Sequence, residues 1–153
     1  MYIKPEKCTW KVRKIGFLDV VIGPSGIEIE KEKVDRVLSW LEPRNVKDVR
    51  KFLGLTNYYR KFIKDFARLA RPINVLTRKD MKWRWEGAEQ AAFDKLKKAF
   101  TMRPVLVAPD LDKEFRVEAD ASNYATGGVL SMKCSNDLWR PVAFISKSLS
   151  DTV

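Results

Sequence analysis

Between Asn45 and Arg71 the chain reads NVKDVRKFLGLTNYYRKFIKDFARLAR, with apolar residues recurring at the three- and four-residue spacing of an amphipathic helix. At about 100° per residue, Phe52, Leu55, Tyr59, Phe62, Ile63, Phe66, Leu69 and Ala70 share one half of the wheel. Lys47, Arg50, Gly54, Asn57, Tyr58, Lys61, Lys64, Arg68 and Arg71 share the other. This predicts one helix, or two in sequence, with the apolar side on a core. Asn45 is placed to cap the start, Asp48 follows three residues on, and Pro72 marks the stop, because the residue before a proline avoids helical angles.

Other stretches carry different periods. Residues 8–30 read as extended. Trp10 and Val12 alternate with charged neighbours, Ile15 to Ile22 is a nearly unbroken apolar run, Gly23-Pro24-Ser25-Gly26 is a turn, and residues 27–30 alternate again, which predicts a hairpin or meander. Asp19 interrupts the apolar run and is expected to face solvent or a cation. Residues 31–41 predict a short helix with Val34, Val37, Leu38 and Leu41 inward, ended by Pro43. Trp83 and Trp85 lie on one side of an extended segment, either packed under the next helix or forming a base-stacking platform. A further helix over 88–101 turns Ala92, Leu96 and Phe100 inward and stops at Pro104.

From Val105 the pattern becomes three strands: Phe115, Val117 and Ala119 alternate in the first, Thr126 to Met132 holds the second, and Pro141 to Ser146 is the third after a turn at 135–137. Three such antiparallel strands leave an edge and a face uncovered. The predicted fold class is α+β: an N-terminal β-hairpin, a helical middle, and a C-terminal antiparallel three-stranded unit, with a boundary near Met102–Pro104.

Charge sharpens this picture. The 153 residues carry a net charge of +10, distributed as +1 over 1–30, +11 over 31–103 and −2 over 104–153. Excess cations confined to the middle suit a local polyanion-binding surface. With no histidine and only Cys8 and Cys134, the chain excludes a zinc-finger site, a Ser–His–Asp triad and a Cys–His pair. Both cysteines are expected to be reduced structural thiols of an intracellular protein. No apolar run is long enough to span a membrane and no signal peptide opens the chain, so a soluble protein with no membrane partner is expected.

The basic half of the 45–71 wheel is the candidate site. Gly54, mid-helix, costs about 1 kcal/mol relative to alanine, with Arg50 one turn before it and Tyr58 one turn after. Cations for phosphates, a glycine for a groove floor and an aromatic for a sugar or base face suit a nucleic-acid duplex. A solvated basic face with a glycine chosen for packing fits the same residues.

Collinear motifs then resemble the reverse transcriptase of gypsy-type LTR retrotransposons. They include Pro5-Glu6-Lys7-Cys8, Phe17-Leu18, the run from Phe52 to Ile63 (FLGLTNYYRKFI), Trp85 with Ala92-Phe93, and Pro104-Val105-Leu106. Ala119-Asp120-Ala121-Ser122, Gly128-Val129-Leu130 and Pro141-Val142-Ala143-Phe144 continue the series. The resemblance implies that residues 1–30 end the palm with a primer-grip hairpin, 31–103 form the thumb and connection, and 104–153 open a ribonuclease H-like domain. It also implies groove tracking by Arg50, Gly54 and Tyr58, with Lys47, Asn57, Lys61, Lys64 and Arg68 on phosphates. Partners would be an RNA/DNA hybrid or duplex and the remainder of the parent polyprotein, in the cytoplasm, a virus-like particle or the nucleus.

Asp120 matches the family's first ribonuclease H carboxylate, a ligand for catalytic Mg²⁺, where two-metal hydrolysis needs several converging acidic oxygens. The remaining ligands fall after Leu149 in the family, and the polymerase aspartates fall before Met1, so both sites are expected to be incomplete and the isolated chain inactive. Glu118 and Asp110 match none of the missing ligands. Two departures stand out: Asp19 where the family has glycine, which puts primer gripping in doubt, and Leu41 where it has proline. The alternative function is a non-enzymatic nucleic-acid-binding module, or one that self-associates as a homo-oligomer through the open strand edge.

Overall fold

The computed structural model describes residues 4–102 and 104–149. The calls on Arg103 in the boundary segment and on the terminal residues therefore lie outside the described part. The described residues form an α+β fold, with two three-stranded antiparallel sheets and four α-helices.

The first sheet is a meander of β1 (Ile15–Phe17), β2 (Val20–Gly23) and β3 (Gly26–Ile29). Its first turn corrects the reading of Ile15–Ile22 as one run. Leu18 and Asp19 both take left-handed φ values, 48° and 63°, and fold β1 back onto β2. Aspartate tolerates that region better than most side chains, so the turn forms without a glycine. Asp19 meets the expected cation, Lys33 Nζ at 3.0 Å. Trp10 and Val12 belong to no strand and are exposed.

Helix α1 (Lys31–Leu38) buries Val34 and Val37. It stops three residues short of Leu41, which is 80% exposed, because Trp40, packed tilted against Phe52, turns the chain instead. The long middle stretch resolves into two helices: α2 (Val46–Tyr58), a single 3₁₀ turn over Arg60–Phe62, and α3 (Phe66–Val75). Asn45 caps α2 by accepting the Asp48 N–H at 3.0 Å, while Asp48 Oδ2 accepts from the Arg44 N–H at 3.3 Å. Tyr59, Phe62 and Ile63 stay buried through the break after Tyr58, on the apolar half where the three- and four-residue spacing places them.

Pro72 does not stop α3 but lies inside it. Burial of Ile73 and Leu76 beyond the proline offsets the lost hydrogen bond. Helix α4 (Gly87–Thr101) begins with a capping box between Glu86 and Glu89 and buries Ala92, Phe93, Leu96 and Phe100. Phe52 and Phe93, with ring centroids 4.6 Å apart, join α2 to α4. Of the two tryptophans, Trp85 packs edge-on against Phe93, and Trp83 stacks on Trp85.

The second sheet, β4 (Phe115–Ala121), β5 (Ala125–Lys133) and β6 (Trp139–Ser148), runs in the order β4-β5-β6. It docks on the helices through α3, whose Ala67 N–H donates to the buried Ser146 hydroxyl at 2.9 Å. Gly127 makes room for this contact, since a Cβ there would lie 2.9 Å from Asp65 Oδ1. The segment after α4 ties both sheets together: Leu106 exchanges two backbone hydrogen bonds with Ile27, and the Val107 N–H donates to the Pro141 carbonyl at 2.9 Å. Gly26 is required there, at φ 126° and with the Leu106 carbonyl against its Cα. Cys8 and Cys134 are free thiols. No helix among the described residues is long and apolar enough to cross a membrane.

Candidate nucleic-acid interface

The residues singled out on the basic half of the wheel are all exposed: Lys47, Arg50, Gly54, Asn57, Tyr58, Lys61, Lys64 and Arg68. They do not form one stripe. The wheel sorts buried from exposed positions through Arg68, but beyond Tyr58 the 3₁₀ turn and the left-handed Asp65 (φ 56°) change the course of the chain.

On α2, Gly54 has open space outward, with nothing within 4 Å of where a Cβ would stand. Intramolecular packing therefore does not demand this glycine. Its neighbours are held in place. The Arg50 guanidinium donates to the Thr77 carbonyl just past α3 at 3.1 Å, and the Tyr58 hydroxyl donates to the Leu18 carbonyl in the β1–β2 turn at 3.2 Å. The Tyr58 ring stands edge-on to Tyr59 at 4.9 Å. Burial, with the Asp19 carboxylate adding to it, pushes the Tyr59 hydroxyl up to about 12. A hydrogen bond to Asp19 raises the Lys33 ammonium in turn.

Gly54 and Asn57 also wall a groove of about 370 Å³ between α2, α3 and the end of β6. Arg60, Asn74, Lys147 and Ser148 add polar groups to its lining. Lys147 and Asn74 carried no local signal in the sequence; the packing of α3 brings Asn74 beside Gly54, and only the docking of β6 brings Lys147 there from some ninety residues later in the chain.

The residues after the break face a different groove, of about 410 Å³, between α3 and the second sheet. There Lys64 and Arg68 line the same space as Asp120, Glu118 and Asp65. Arg68 is paired with Asp65 at 2.8 Å and Glu118 with Arg116 at 3.5 Å. Asp120 is exposed, and its Oδ1 accepts the N–H of Ala121 at 2.8 Å. Among the described residues no three His, Cys, Asp or Glu side chains converge as a metal site. The donors around Asp120 do not by themselves fit a Mg²⁺ ion.

Comparison with known proteins accounts for this arrangement. Residues 85–153 match the RNase H-like domain found in reverse transcriptase. The Transposon Tf2-3 polyprotein of Schizosaccharomyces pombe is 36% identical over 150 residues, spanning 98% of this chain, and the Tf2-4 polyprotein of the same organism matches equally well. The chain spans only 11% of the length of those relatives. Among solved structures, the foamy viral protease-reverse transcriptase in complex with RNA/DNA hybrid shares its fold over 92% of this chain and 19% of its own, with TM-score 0.75 and 22% identity. A dRH form of that protein in complex with double-stranded DNA gives a TM-score of 0.76 at 21% identity over 90% of this chain and 24% of its own. The chain is thus a segment of retroelement reverse transcriptase/ribonuclease H type, carrying the RNase H-like domain in its C-terminal part.

Proposed function

We propose that this segment holds the primer–template hybrid of a gypsy-type retrotransposon polymerase, with residues 31–103 as its thumb, 1–30 as the end of the palm and 104–153 opening the ribonuclease H-like domain. The observation that carries the reading is Gly54. A mid-helix glycine costs about 1 kcal/mol, nothing among the described residues lies within 4 Å of where its Cβ would stand, and exposed Lys47, Arg50, Asn57 and Tyr58 surround it. An external backbone lying in that space gives the residue a purpose. The hybrid and duplex DNA in the foamy viral complexes, whose fold this chain shares, supply the kind of partner.

Arg50→Ala and Lys61→Ala are expected to weaken binding to an RNA/DNA hybrid. Loss of the Lys61 phosphate contact should lower the slope of log affinity against log salt by about one. Fluorescence anisotropy at several salt concentrations measures both, and unchanged affinity in both variants would contradict the reading. On its own the chain is expected to show no polymerase or nuclease turnover, since among the described residues no three acidic side chains converge with Asp120 as a metal site. Mg²⁺-dependent hybrid cleavage lost in Asp120→Asn would contradict that.

A second reading is self-association through β4, an edge strand whose seven residues are all exposed. Sedimentation velocity across a concentration series separates it from the first: concentration-dependent dimers support it, and a monomer throughout removes it.

A further inference from the structure

The loop between α3 and α4 carries an arrangement that the duplex-binding reading does not use. Trp83 and Trp85 lie nearly parallel, with ring centroids 5.8 Å apart and planes 16° from each other. Trp85 is fixed from below. Its indole N–H donates to Gln90 Oε1 at 2.8 Å, and its ring stands edge-on to Phe93 at 5.9 Å, so α4 sets its orientation. Trp83 rests on that anchored ring and remains 38% exposed. The result is a two-ring stack rooted in the core with its last member open to solvent.

Charge indicates what continues the stack. Residues 78–86 hold four cations and two acids, and Lys82 and Arg84, both exposed, flank Trp83 on either side. Arg84 is paired with Glu86 at 3.6 Å, so an apolar protein surface over Trp83 would have to cover Lys82 without a counter-ion supplied by the adjoining residues. A nucleotide brings a flat aromatic face and an anionic phosphate together, and stacking on an aromatic side chain is available to every base. The loop is also continuous with the basic face of α2, because Arg50 donates to the carbonyl of Thr77 at the loop's start.

The geometry points to a second nucleic-acid site: Trp83, backed by Trp85 and flanked by Lys82 and Arg84, stacks an unpaired base of single-stranded nucleic acid. A base pair inside a duplex is covered on both faces and leaves none for the ring, so away from the duplex ends the site discriminates single strand from duplex.

The test uses the whole chain with an eight-nucleotide deoxythymidine oligomer and, separately, a blunt RNA/DNA hybrid. The oligomer should quench tryptophan fluorescence. Trp83→Ala should weaken oligomer binding about tenfold, within the range for loss of one base stack, while blunt-hybrid affinity stays as in the wild type. Trp83→Phe keeps a ring on Trp85 and should retain most of the affinity, which separates lost stacking from a disturbed fold. Lys82→Ala leaves both rings in place and should reduce the salt dependence. Equal oligomer binding by Trp83→Ala and wild type, or parallel losses on oligomer and hybrid, would overturn the proposal and leave the ring pair as structural or as a protein contact. Failure of the duplex reading appears elsewhere, as hybrid affinity insensitive to Arg50 and Lys61.

Discussion

Phe52, Tyr59, Phe62 and Phe100 in the helical middle are sealed almost completely, whereas every residue of β4 in the C-terminal sheet is open to solvent. The two regions meet their burial needs differently. The helices and the 3₁₀ turn enclose an aromatic core, closed by Val20 and Ile29 of the first sheet and by Leu106, and present lysines and arginines outward without weakening it. The sheet closes little on its own: Ala125, Ser131, Met132 and Ser146 are its buried residues, and it is held by the contact of β6 with α3 and the 3₁₀ turn. A face backed by a densely packed core is the better place for binding, because the core fixes the backbone from which its cations project.

The comparison breaks most visibly under core mutation. Phe52→Ala should destabilise the chain by about 3–5 kcal/mol through loss of buried area and a residual cavity, read from urea unfolding. Val117→Ser on β4, where the side chain is 71% exposed, should shift stability by no more than about 0.5 kcal/mol. Equal losses in the two variants would show that the sheet is as integral as the helices.

Alkaline titration sharpens the same point, since Tyr59 belongs to the helical core. Its folded-state pKa, about 12, lies above the ordinary value of 10.0, so between them the folded state holds a proton that the unfolded state has released. Stability is therefore fully present below pH 10 and falls as pH rises towards 12. Lys33, raised by its hydrogen bond to Asp19, acts in the same direction. Urea midpoints from pH 8 to 11.5 should decline above pH 10, and Tyr59→Phe should flatten that decline. At the entrance of α2, Asn45→Ala removes the cap on the Asp48 N–H and should cost about 1 kcal/mol, with thermal unfolding as the readout.

The residue pattern made the helices and strands legible wherever local signals agreed with packing. Asn45, the 88–101 helix with Ala92, Leu96 and Phe100 inward, and the three C-terminal strands all stand where their periods place them. Local rules failed where tertiary burial overrode them. Pro72 is carried inside α3 by Ile73 and Leu76, Leu41 is left outside by Trp40, and the apolar run at 15–22 folds at two left-handed residues with no glycine to announce it. For the candidate site, exposure of each chosen residue was readable from the wheel. Their division between two grooves was not, because it depends on the break at Tyr59–Asp65. Nor was the approach of Lys147 to Gly54, which exists only once β6 has docked.

Gly54 offers the most direct measurement, since its two possible roles predict opposite linkages between stability and binding. With open space at the Cβ position, Gly54→Ala should stabilise α2 by about 0.5–1 kcal/mol. If the bare backbone is there for a nucleic acid, the same variant should bind an RNA/DNA hybrid about tenfold more weakly, a loss of ~1.4 kcal/mol. A variant that melts higher and binds less supports the account; one that melts higher and binds the hybrid as tightly as before contradicts it.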